Sequence, residues 1–342
     1  MINRRTLLKV AGGASAAAVM ARGAFAQSSA KFAAKIAHLE SPAQPRHKGL
    51  EQVAALVKDR TKGEVEFTIY PLSQLGNARQ MIEGTQFGAI ECTVQPAAFL
   101  GGFNPVVSVL DVPYVYPTDR ALSQKLREGP FGQALLKSFE KRGMAPLTIW
   151  PNGRKSLTSN KPLDDLVKLS GQKFRVMDSK VLIDQFAAVG ASAVPINFGE
   201  LYTSLQTGLV DGEENPLDTI TTMKFHEVQK YLVVTEHGAM EDFVLFNPTW
   251  WSSLPEGHRE IIKTAFDEVR PEVEKNKEAA QQKSLQIIKD AGLNVRTADE
   301  AERNKLRDAT ADAARKAYLT LAGDEGKAVL AVYDEEYKKL GA

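Results

Sequence analysis

Hydrophobic residues in the first half of the chain switch between strand-like and helix-like spacing. Apolar side chains recur at every second position from Phe32 to Ile36 and from Val65 to Ile69, which predicts two strands. Between them, residues Leu50 to Val57 are apolar at intervals of three and four, the spacing of a helix face. A short helix around Met81 and a strand near Ile90 follow. Strand–helix–strand succession of this kind predicts parallel α/β units.

The second half shows the same succession of elements. Strands are predicted at Leu147–Trp150, Lys173–Met177, Ala193–Ile196 and Val244–Asn247, and helices at Leu182–Val189 and Leu201–Thr207. No convincing sequence repeat relates the two halves. From Pro255 to Ala291 the apolar spacing predicts one long helix, which Pro271 should kink. Two amphipathic helices are predicted at the end, over Glu300–Leu321 and Gly326–Leu340.

The first 26 residues differ from the rest in composition. They contain the adjacent pair Arg4 and Arg5 and no acidic residue, followed by an Ala/Gly-rich run and small residues up to Ala26. This pattern predicts a signal peptide over residues 1–26, of the twin-arginine type, cleaved near Ala26. A disordered basic tail or a membrane anchor is the alternative. Removal of the leader takes away four positive charges and moves the formal net charge from +1 to −3, which argues against nucleic-acid binding.

The chain lacks the usual signatures of enzymes and metal sites. It contains no GxSxG, HExxH, CxxC, GxGxxG or phosphate-binding-loop motif, and its five histidines are scattered without metal-ligand spacing. Cys92 is the only cysteine, so an internal disulfide is impossible, and its strand-like surroundings favour a small buried side chain. We therefore expect no cofactor and no metal.

The segment from Gly171 to Pro216 holds the clearest candidate chemistry. Polar residues follow apolar strand-like runs there: Arg175 follows Phe174, and Glu213, Glu214 and Asn215 come soon after Val210. Ligand sites of open α/β sheets gather at the carboxyl ends of strands. The planar fork of arginine matches a carboxylate with two parallel hydrogen bonds, so Arg175 is the leading candidate for binding an acid. The alternatives are a surface arginine and, for Asn215, a helix N-cap.

Three motifs resemble the DctP-type solute-binding proteins of TRAP (tripartite ATP-independent periplasmic) transporters. They are GQKFRV at 171–176, VPINFGELYTSLQTGLVDGEENP at 194–216 and NGRKSLTSNKP at 152–162. The resemblance covers nearly all of the chain after the leader. It implies a two-lobed α/β clamshell like that of periplasmic binding proteins, with a long lobe-spanning helix. It also implies lobe I from residues 27–152 and 242–275, lobe II from 153–241 and 276–320, and a C-terminal helix at 321–342.

The resemblance also assigns ligand contacts. Arg175 matches the arginine that clamps the ligand carboxylate, and Arg154 an arginine of an NGxR segment that faces the ligand. Asn215 matches an asparagine that donates to the ligand, and Phe198 an aromatic residue that packs on it. Weaker candidates occupy positions that vary among relatives: Gln95, Asn77 and Asp178. Their identities argue against sialic acid as the ligand.

These features predict an extracytoplasmic protein that captures a small organic acid and passes it to integral-membrane TRAP permease subunits. We expect a periplasmic location, a monomer and no catalysis. One alternative is a periplasmic enzyme acting on a carboxylate, with Glu213, Glu214 or Asp178 as the general base near the arginine. Another is a sensing module that presents the bound acid to a membrane receptor.

Overall fold

The structure is a computed structural model that describes residues 30–341. The predicted leader, residues 1–26, lies outside the described residues. Ten strands occur in the described part of the chain: β1 Phe32–His38, β2 Val65–Tyr70, β3 Cys92–Pro96, β4 Ala145–Ser159, β5 Lys173–Val176, β6 Ser192–Pro195, β7 Gly212–Pro216, β8 Tyr231–Val234, β9 Ala239–Phe246 and β10 Asn294–Thr297.

The helices are α1 Pro45–Arg60, α2 Ala78–Phe87, α3 Ala97–Leu100, α4 Arg120–Glu128, α5 Pro130–Lys137, α6 Lys180–Ala188, α7 Leu201–Gln206, α8 Leu217–Thr222, α9 Pro248–Ser253, α10 Glu256–Asp290 and α11 Glu300–Lys339. Short 3₁₀ helices lie at Pro105–Asp111, Glu140–Arg142, Phe198–Glu200 and Phe225–Val228. Every strand and helix that the hydrophobic spacing predicts is present, with ends shifted by a few residues. No helix in residues 30–341 is long and apolar enough to cross a membrane.

The first group of strands, β1 to β3, forms the sheet of lobe I. Strand β1 lies in the middle and pairs in parallel with both β2 and β3. Helix α1 covers this sheet because Leu50, Val53 and Val57, at intervals of three and four, are fully buried against it and against α10. The predicted parallel α/β unit is therefore confirmed.

The second group, β5 to β7, forms the sheet of lobe II in the same arrangement. Strand β5 lies in the middle and pairs in parallel with β6 and β7. Cys92 of β3 faces Ile36, and Gly212 of β7 faces Phe174, at matching registers. In this alignment residues 86–96 (QFGAIECTVQP) correspond to 206–216 (QTGLVDGEENP), with the same glutamine, glycine and proline.

The structure thus corrects the expectation that no repeat relates the halves. The repeated segment consists of the end of a helix, a glycine of positive φ and a strand that ends in proline. The two glycines are Gly88, with φ 82°, and Gly208, with φ 71°. Sequence comparison alone misses it because the identities are few. Strand pairing reveals it, and it places Gln95 of lobe I at the position of Asn215 in lobe II.

Strand β4 belongs to both sheets. Residues Ala145–Arg154 pair with β9, and Lys155–Ser159 pair with β7 and β8. The pairing shifts between Pro151 and Gly153, where Gly153 has φ 131°, a value that favours glycine. The boundary predicted at 152/153 falls at this irregularity, and the residue limits of the lobes stay predictions.

The long helix predicted for Pro255–Ala291 is confirmed as α10. Its 35 residues make it about 52 Å long, at ~1.5 Å per residue. Pro255 and Ala291 are its caps, and the helix continues through Pro271. It meets lobe I at Gly49 of α1 and lobe II at Thr221 of α8, whose hydroxyl lies 2.7 Å from that of Ser284.

Helix α11 contains the two predicted C-terminal helices, separated at Gly323. This residue has φ 56° and ψ −138°, so the backbone leaves the helical conformation there. Tyr318 and Leu330, on either side of the break, are buried in one hydrophobic cluster with Phe131 of α5. The C-terminal segment therefore packs on the body of the protein.

A substitution at the contact of α1 with α10 tests this packing. A Cβ atom at Gly49 would lie 2.3 Å from Val273 and 3.3 Å from Trp150, so we expect Gly49→Ala to lower the free energy of unfolding by about 1–3 kcal/mol through overpacking. At an exposed helix position, the same change stabilises the helix by up to about 1 kcal/mol. The matched control is Gly257→Ala on α10, where nothing lies within 4 Å. Chemical denaturation of both variants measures the difference, and equal effects would contradict the tight contact.

Candidate functional site

Arg175 is a fully buried cation without a full set of hydrogen-bond partners. It lies on β5, and its side chain has no exposed surface. Its Nε donates to the carbonyl oxygen of Ile196 at 2.9 Å, whereas its Nη2 has no partner among the described residues. The guanidinium carbon lies 6.0 Å from the ring centre of Phe99 and 5.8 Å from that of Phe198. A buried charged donor that lacks an acceptor is costly, which marks Arg175 as a site for an anion.

The acidic residues next to Arg175 lie within strand β7. The sequence placed Glu213, Glu214 and Asn215 beyond the end of a strand, but all three are buried strand residues. Glu213 faces Arg175 in the register of β5 and β7, and burial raises its pKa to about 7. Burial also raises the pKa of Glu214, but Lys155 and His237 outweigh that effect and hold it at about 2.

These charges leave Arg175 cationic at neutral pH. Burial lowers its pKa to about 10, a change that Glu213 and Glu214 oppose. Glu214 is already paired, with Lys155 at 2.7 Å and His237 at 2.8 Å. Arg175 therefore has no dedicated carboxylate of its own, and a ligand carboxylate can take that place.

Gln95 and Asn215 hold equivalent places in the two lobes and make equivalent hydrogen bonds. Gln95 Nε2 donates to Thr93 Oγ1 at 2.8 Å, and Asn215 Nδ2 donates to Glu213, in each case two residues earlier on the strand. The buried Oε1 of Gln95 is left without a partner among the described residues. The N-cap alternative for Asn215 is wrong, because Pro216 caps α8 and Asn215 lies in β7.

A small inner cavity lies between the lobes beside these residues. Its walls include Phe198 and Asn215 from lobe II and Arg46, Glu40 and Phe99 from lobe I. The cavity has a volume of about 10 Å³, room for about one water molecule. Phe198 also packs edge-on against Phe225 at 5.9 Å between ring centres.

An outer groove of about 350 Å³ lies on the other side of Phe99. Two of the weaker candidates lie in it: Asn77 from lobe I and Asp178 from lobe II. Asn77 caps α2 and accepts from Gln80 N at 3.0 Å, and Asp178 is exposed. Phe99 thus lines both this groove and the inner cavity.

The structure does not bring Arg154 to Arg175. Arg154 donates to the carbonyl oxygens of Tyr116, at 3.2 Å, and Pro117, and to the hydroxyl of Ser123 at 2.6 Å. It lines a separate cavity of about 30 Å³ next to Glu241. Counted from Asn152, the fourth position of an NGxR spacing is Lys155, which pairs with Glu214. A ligand contact by Arg154 stays a prediction, and its protein acceptors do not favour it.

The residues of the inner cavity that were not singled out from the sequence include Phe99, Arg46 and Glu40. Glu40 lies shortly before helix α1, and Arg46 lies in its first turn. Charged residues at such positions are ordinarily exposed, so the sequence pattern does not predict that these two are buried. Phe99 follows Gln95 by four residues, and no motif in the sequence marks it. Trp150 packs in the core of lobe I, with 5.2 Å between its ring centre and that of Phe266.

The arrangement can bind an anion in a desolvated site between two aromatic rings. Arg175 Nη2 is a buried donor without a partner next to these rings, and Gln95 Oε1 of lobe I is a buried acceptor without a partner among the described residues. No group of three or more His, Cys, Asp or Glu residues with metal-binding geometry occurs in residues 30–341.

Comparison with known proteins identifies the family. Residues 36–320 match the family described as bacterial extracellular solute-binding protein, family 7 (DctP). A TRAP periplasmic solute-binding protein from Desulfovibrio salexigens, solved with bound orotic acid, is 60% identical, with a TM-score of 0.89 over 90% of this chain and 99% of that one.

More distant relatives bind other acids. A TRAP periplasmic solute-binding protein from Sulfurospirillum deleyianum, solved with bound succinate, is 30% identical, with a TM-score of 0.82 over 89% of this chain and 99% of that one. The C4-dicarboxylate-binding periplasmic protein DctP of Rhodobacter capsulatus is 33% identical over 85% of this chain and 87% of its own length. The two-lobed clamshell fold predicted from the sequence is confirmed by these structures. The chain belongs to family 7 of the bacterial extracellular solute-binding proteins, the DctP family of TRAP transporters.

Proposed function

We propose that this protein is a periplasmic receptor that captures a planar ring carboxylic acid of the orotate type and delivers it to TRAP permease subunits. The observation that carries the proposal is Arg175, a buried guanidinium with a free Nη2 between the rings of Phe99 and Phe198. A carboxylate supplies the acceptor that Arg175 lacks, and the rings suit a flat ligand.

The orotate class is favoured over open-chain acids by similarity and by the site itself. The relative with bound orotic acid is 60% identical, whereas the relative with bound succinate is 30% identical. Orotic acid combines a carboxylate with ring N–H groups. The unpartnered Oε1 of Gln95 can accept a hydrogen bond from one of these N–H groups, whereas succinate has no N–H group to donate.

Binding requires the site to open and close. The inner cavity of about 10 Å³ does not admit a six-membered ring, and Phe99 lies between it and the groove. We propose that the lobes separate about β4, β9 and α10 and close over the acid, which draws Phe99 of lobe I back against Arg175 of lobe II. Closure removes water and strengthens the pairing with Arg175.

The proposal includes no catalysis and requires only one chain, because all the side chains of the site come from a single copy. Titration calorimetry with orotate, succinate and malate, together with a search for products by mass spectrometry, tests it. Binding of orotate without turnover is the expected result. Turnover of the bound acid would favour the enzyme alternative, and absence of binding by all three acids would overturn the ligand class.

Replacement of Arg175 by lysine tests the clamp. An ammonium cannot reproduce the fork, and loss of one partner of a buried charged pair costs roughly 2–5 kcal/mol. We expect Arg175→Lys to weaken orotate binding by about 30-fold or more, at ~1.4 kcal/mol per tenfold. Arg154→Lys, a buried arginine with protein acceptors, is the matched control and should cost less. Calorimetry measures both, with melting curves as the folding check. Binding within threefold of wild type in Arg175→Lys would refute the clamp.

The pH dependence of binding tests the role of Glu213. Its pKa is about 7 without ligand, and a bound carboxylate at Arg175 adds a second negative charge that raises it further. Protonated Glu213 therefore binds the acid better. We expect affinity for orotate to fall as the pH rises from 6 to 8, by at most about tenfold per pH unit for one coupled proton.

Two neighbours do not titrate in this range, since the pKa of Glu214 is about 2 and that of Arg175 about 10. The control is Glu213→Gln, which should bind with nearly the same affinity across the range. A wild-type profile as flat as that of Glu213→Gln, measured by calorimetry in matched buffers, would show that Glu213 is not coupled to the ligand.

A further inference from the structure

The lobe I wall of the inner cavity contains a second buried arginine, Arg46, next to Glu40. Arg46 has no exposed surface, and its Nη2 lies 3.3 Å from Glu40 Oε2. Its Nη1 donates to Asp242. Among the described residues, Arg46 Nη2 and Glu40 Oε2 have no hydrogen-bond partner, and both residues line the cavity. Arg46 Nη2 and Glu40 Oε2 thus form an ion pair on this wall, and neither atom makes a hydrogen bond to another described group.

The charges around this pair do not suit a second carboxylate. Asn152 Nδ2 donates to Glu40 at 2.9 Å and to Asp242 at 3.1 Å. Lys277 donates to Asp218 at 2.6 Å and to Asn152 Oδ1 at 2.8 Å. Three carboxylates therefore surround two cations, Arg46 and Lys277. A second ligand carboxylate here would meet net negative charge, unlike the carboxylate at Arg175.

We propose that Arg46 and Glu40 recognise a neutral amide edge of the ligand, in which a ring carbonyl stands next to a ring N–H. Arg46 Nη2 donates to the carbonyl oxygen, and Glu40 Oε2 accepts from the N–H. This inference rests on the proposed function, because it takes the acid bound at Arg175 and specifies the opposite side of the same molecule.

Orotate has this edge in the right place. The imide N–H of its ring lies opposite the carbon that bears the carboxylate, with a carbonyl on each side. Phe99 and Phe198 lie next to Arg175 and also line the cavity of Arg46 and Glu40, so an acid held at Arg175 by its carboxylate would direct its imide toward that wall. Succinate, with a carboxylate at each end, would place a negative charge beside Glu40. The pair thus selects lactam and imide acids and rejects dicarboxylates.

The test compares orotate with pyridine-2-carboxylate, a ring acid of similar size without an amide edge, by titration calorimetry. Wild type should prefer orotate by about tenfold or more, the worth of hydrogen bonds to a charged group. Glu40→Gln places an amide NH₂ where an acceptor is needed, so it should weaken orotate binding about tenfold or more and reduce the preference. Arg175→Lys should weaken both acids.

The matched control is Asp218→Asn. It removes the same charge from the same buried group of residues, but Asp218 pairs with Lys277 and does not line the cavity. The preference for orotate should be retained in this variant. Should Glu40→Gln not fold, Glu40→Asp, which withdraws the carboxylate by one methylene, replaces it with the same expectation.

The outcomes separate the two proposals. If orotate binds and depends on Arg175, but Glu40→Gln keeps the same preference for orotate over pyridine-2-carboxylate as Asp218→Asn, the amide-edge proposal is wrong and the proposed function stands. Equal wild-type affinity for the two acids, or tighter binding of succinate than of orotate, likewise overturns the amide edge. If wild type does not bind orotate at all, both proposals fall.

Discussion

The burial of an incompletely paired arginine is the constraint on which the site depends. Arg175 has no exposed surface, and burial lowers its pKa to about 10, well below the usual value of an arginine. That change corresponds to roughly 3 kcal/mol against the charged form, at ~1.4 kcal/mol per pH unit. The protein offsets it in part with two aromatic rings, the carbonyl of Ile196 and the field of Glu213. A ligand carboxylate would supply the acceptor that Arg175 Nη2 lacks, so the burial of this cation favours capture of an anion.

The internal repeat explains how two similar lobes produce a ligand site with two different ends. Strand register places Ala37 of lobe I where lobe II has Arg175. Gln95 and Asn215 then occupy equivalent positions, each with its amide nitrogen bound on its own strand. The two lobes thus carry similar polar side chains at the ends of equivalent strands and differ at the position of Arg175. In the proposed complex this difference assigns the carboxylate to lobe II and the neutral part of the ligand to lobe I.

Much of the fold and part of the site could be predicted from the sequence. Helix α10 occupies Glu256–Asp290, within a residue of the prediction, because its apolar spacing is regular and Pro255 marks its start. The sequence did not predict strand β7, and so it did not predict that the polar residues of this strand are buried. Glu213 is buried because Thr158 binds it, and Glu214 because Lys155 and His237 do. Partners so distant along the chain leave no periodic signal.

The same limit hid Arg46 and Glu40. Their burial depends on Asp242 and Asn152, which adjacent strands bring to α1 from the middle of the chain. A charged residue at a helix start ordinarily faces solvent, and only tertiary contacts reverse that. By contrast, Arg175 could be singled out as a candidate because it lies in a motif. A residue that belongs to a recognisable motif can be singled out from the sequence, whereas a residue whose burial depends on partners distant along the chain cannot.

That network also connects ligand recognition with lobe closure. Gln44, two residues before Arg46, donates to Thr219 at 3.2 Å and to Thr222 at 2.8 Å in lobe II. Lys277 of α10 joins Gln44 and Asn152 of lobe I to Asp218 of lobe II. The closed arrangement therefore buries Arg46 and Glu40 and fixes their spacing at the same time. In the proposed complex, a ligand that offers no partner to Arg46 Nη2 and Glu40 Oε2 leaves polar groups without hydrogen bonds in the closed state, at a cost of about 1–3 kcal/mol each. Since a ligand shifts the lobes only by its differential affinity for the closed state, we expect a poorly matched acid to bind to Arg175 and still fail to hold the lobes together.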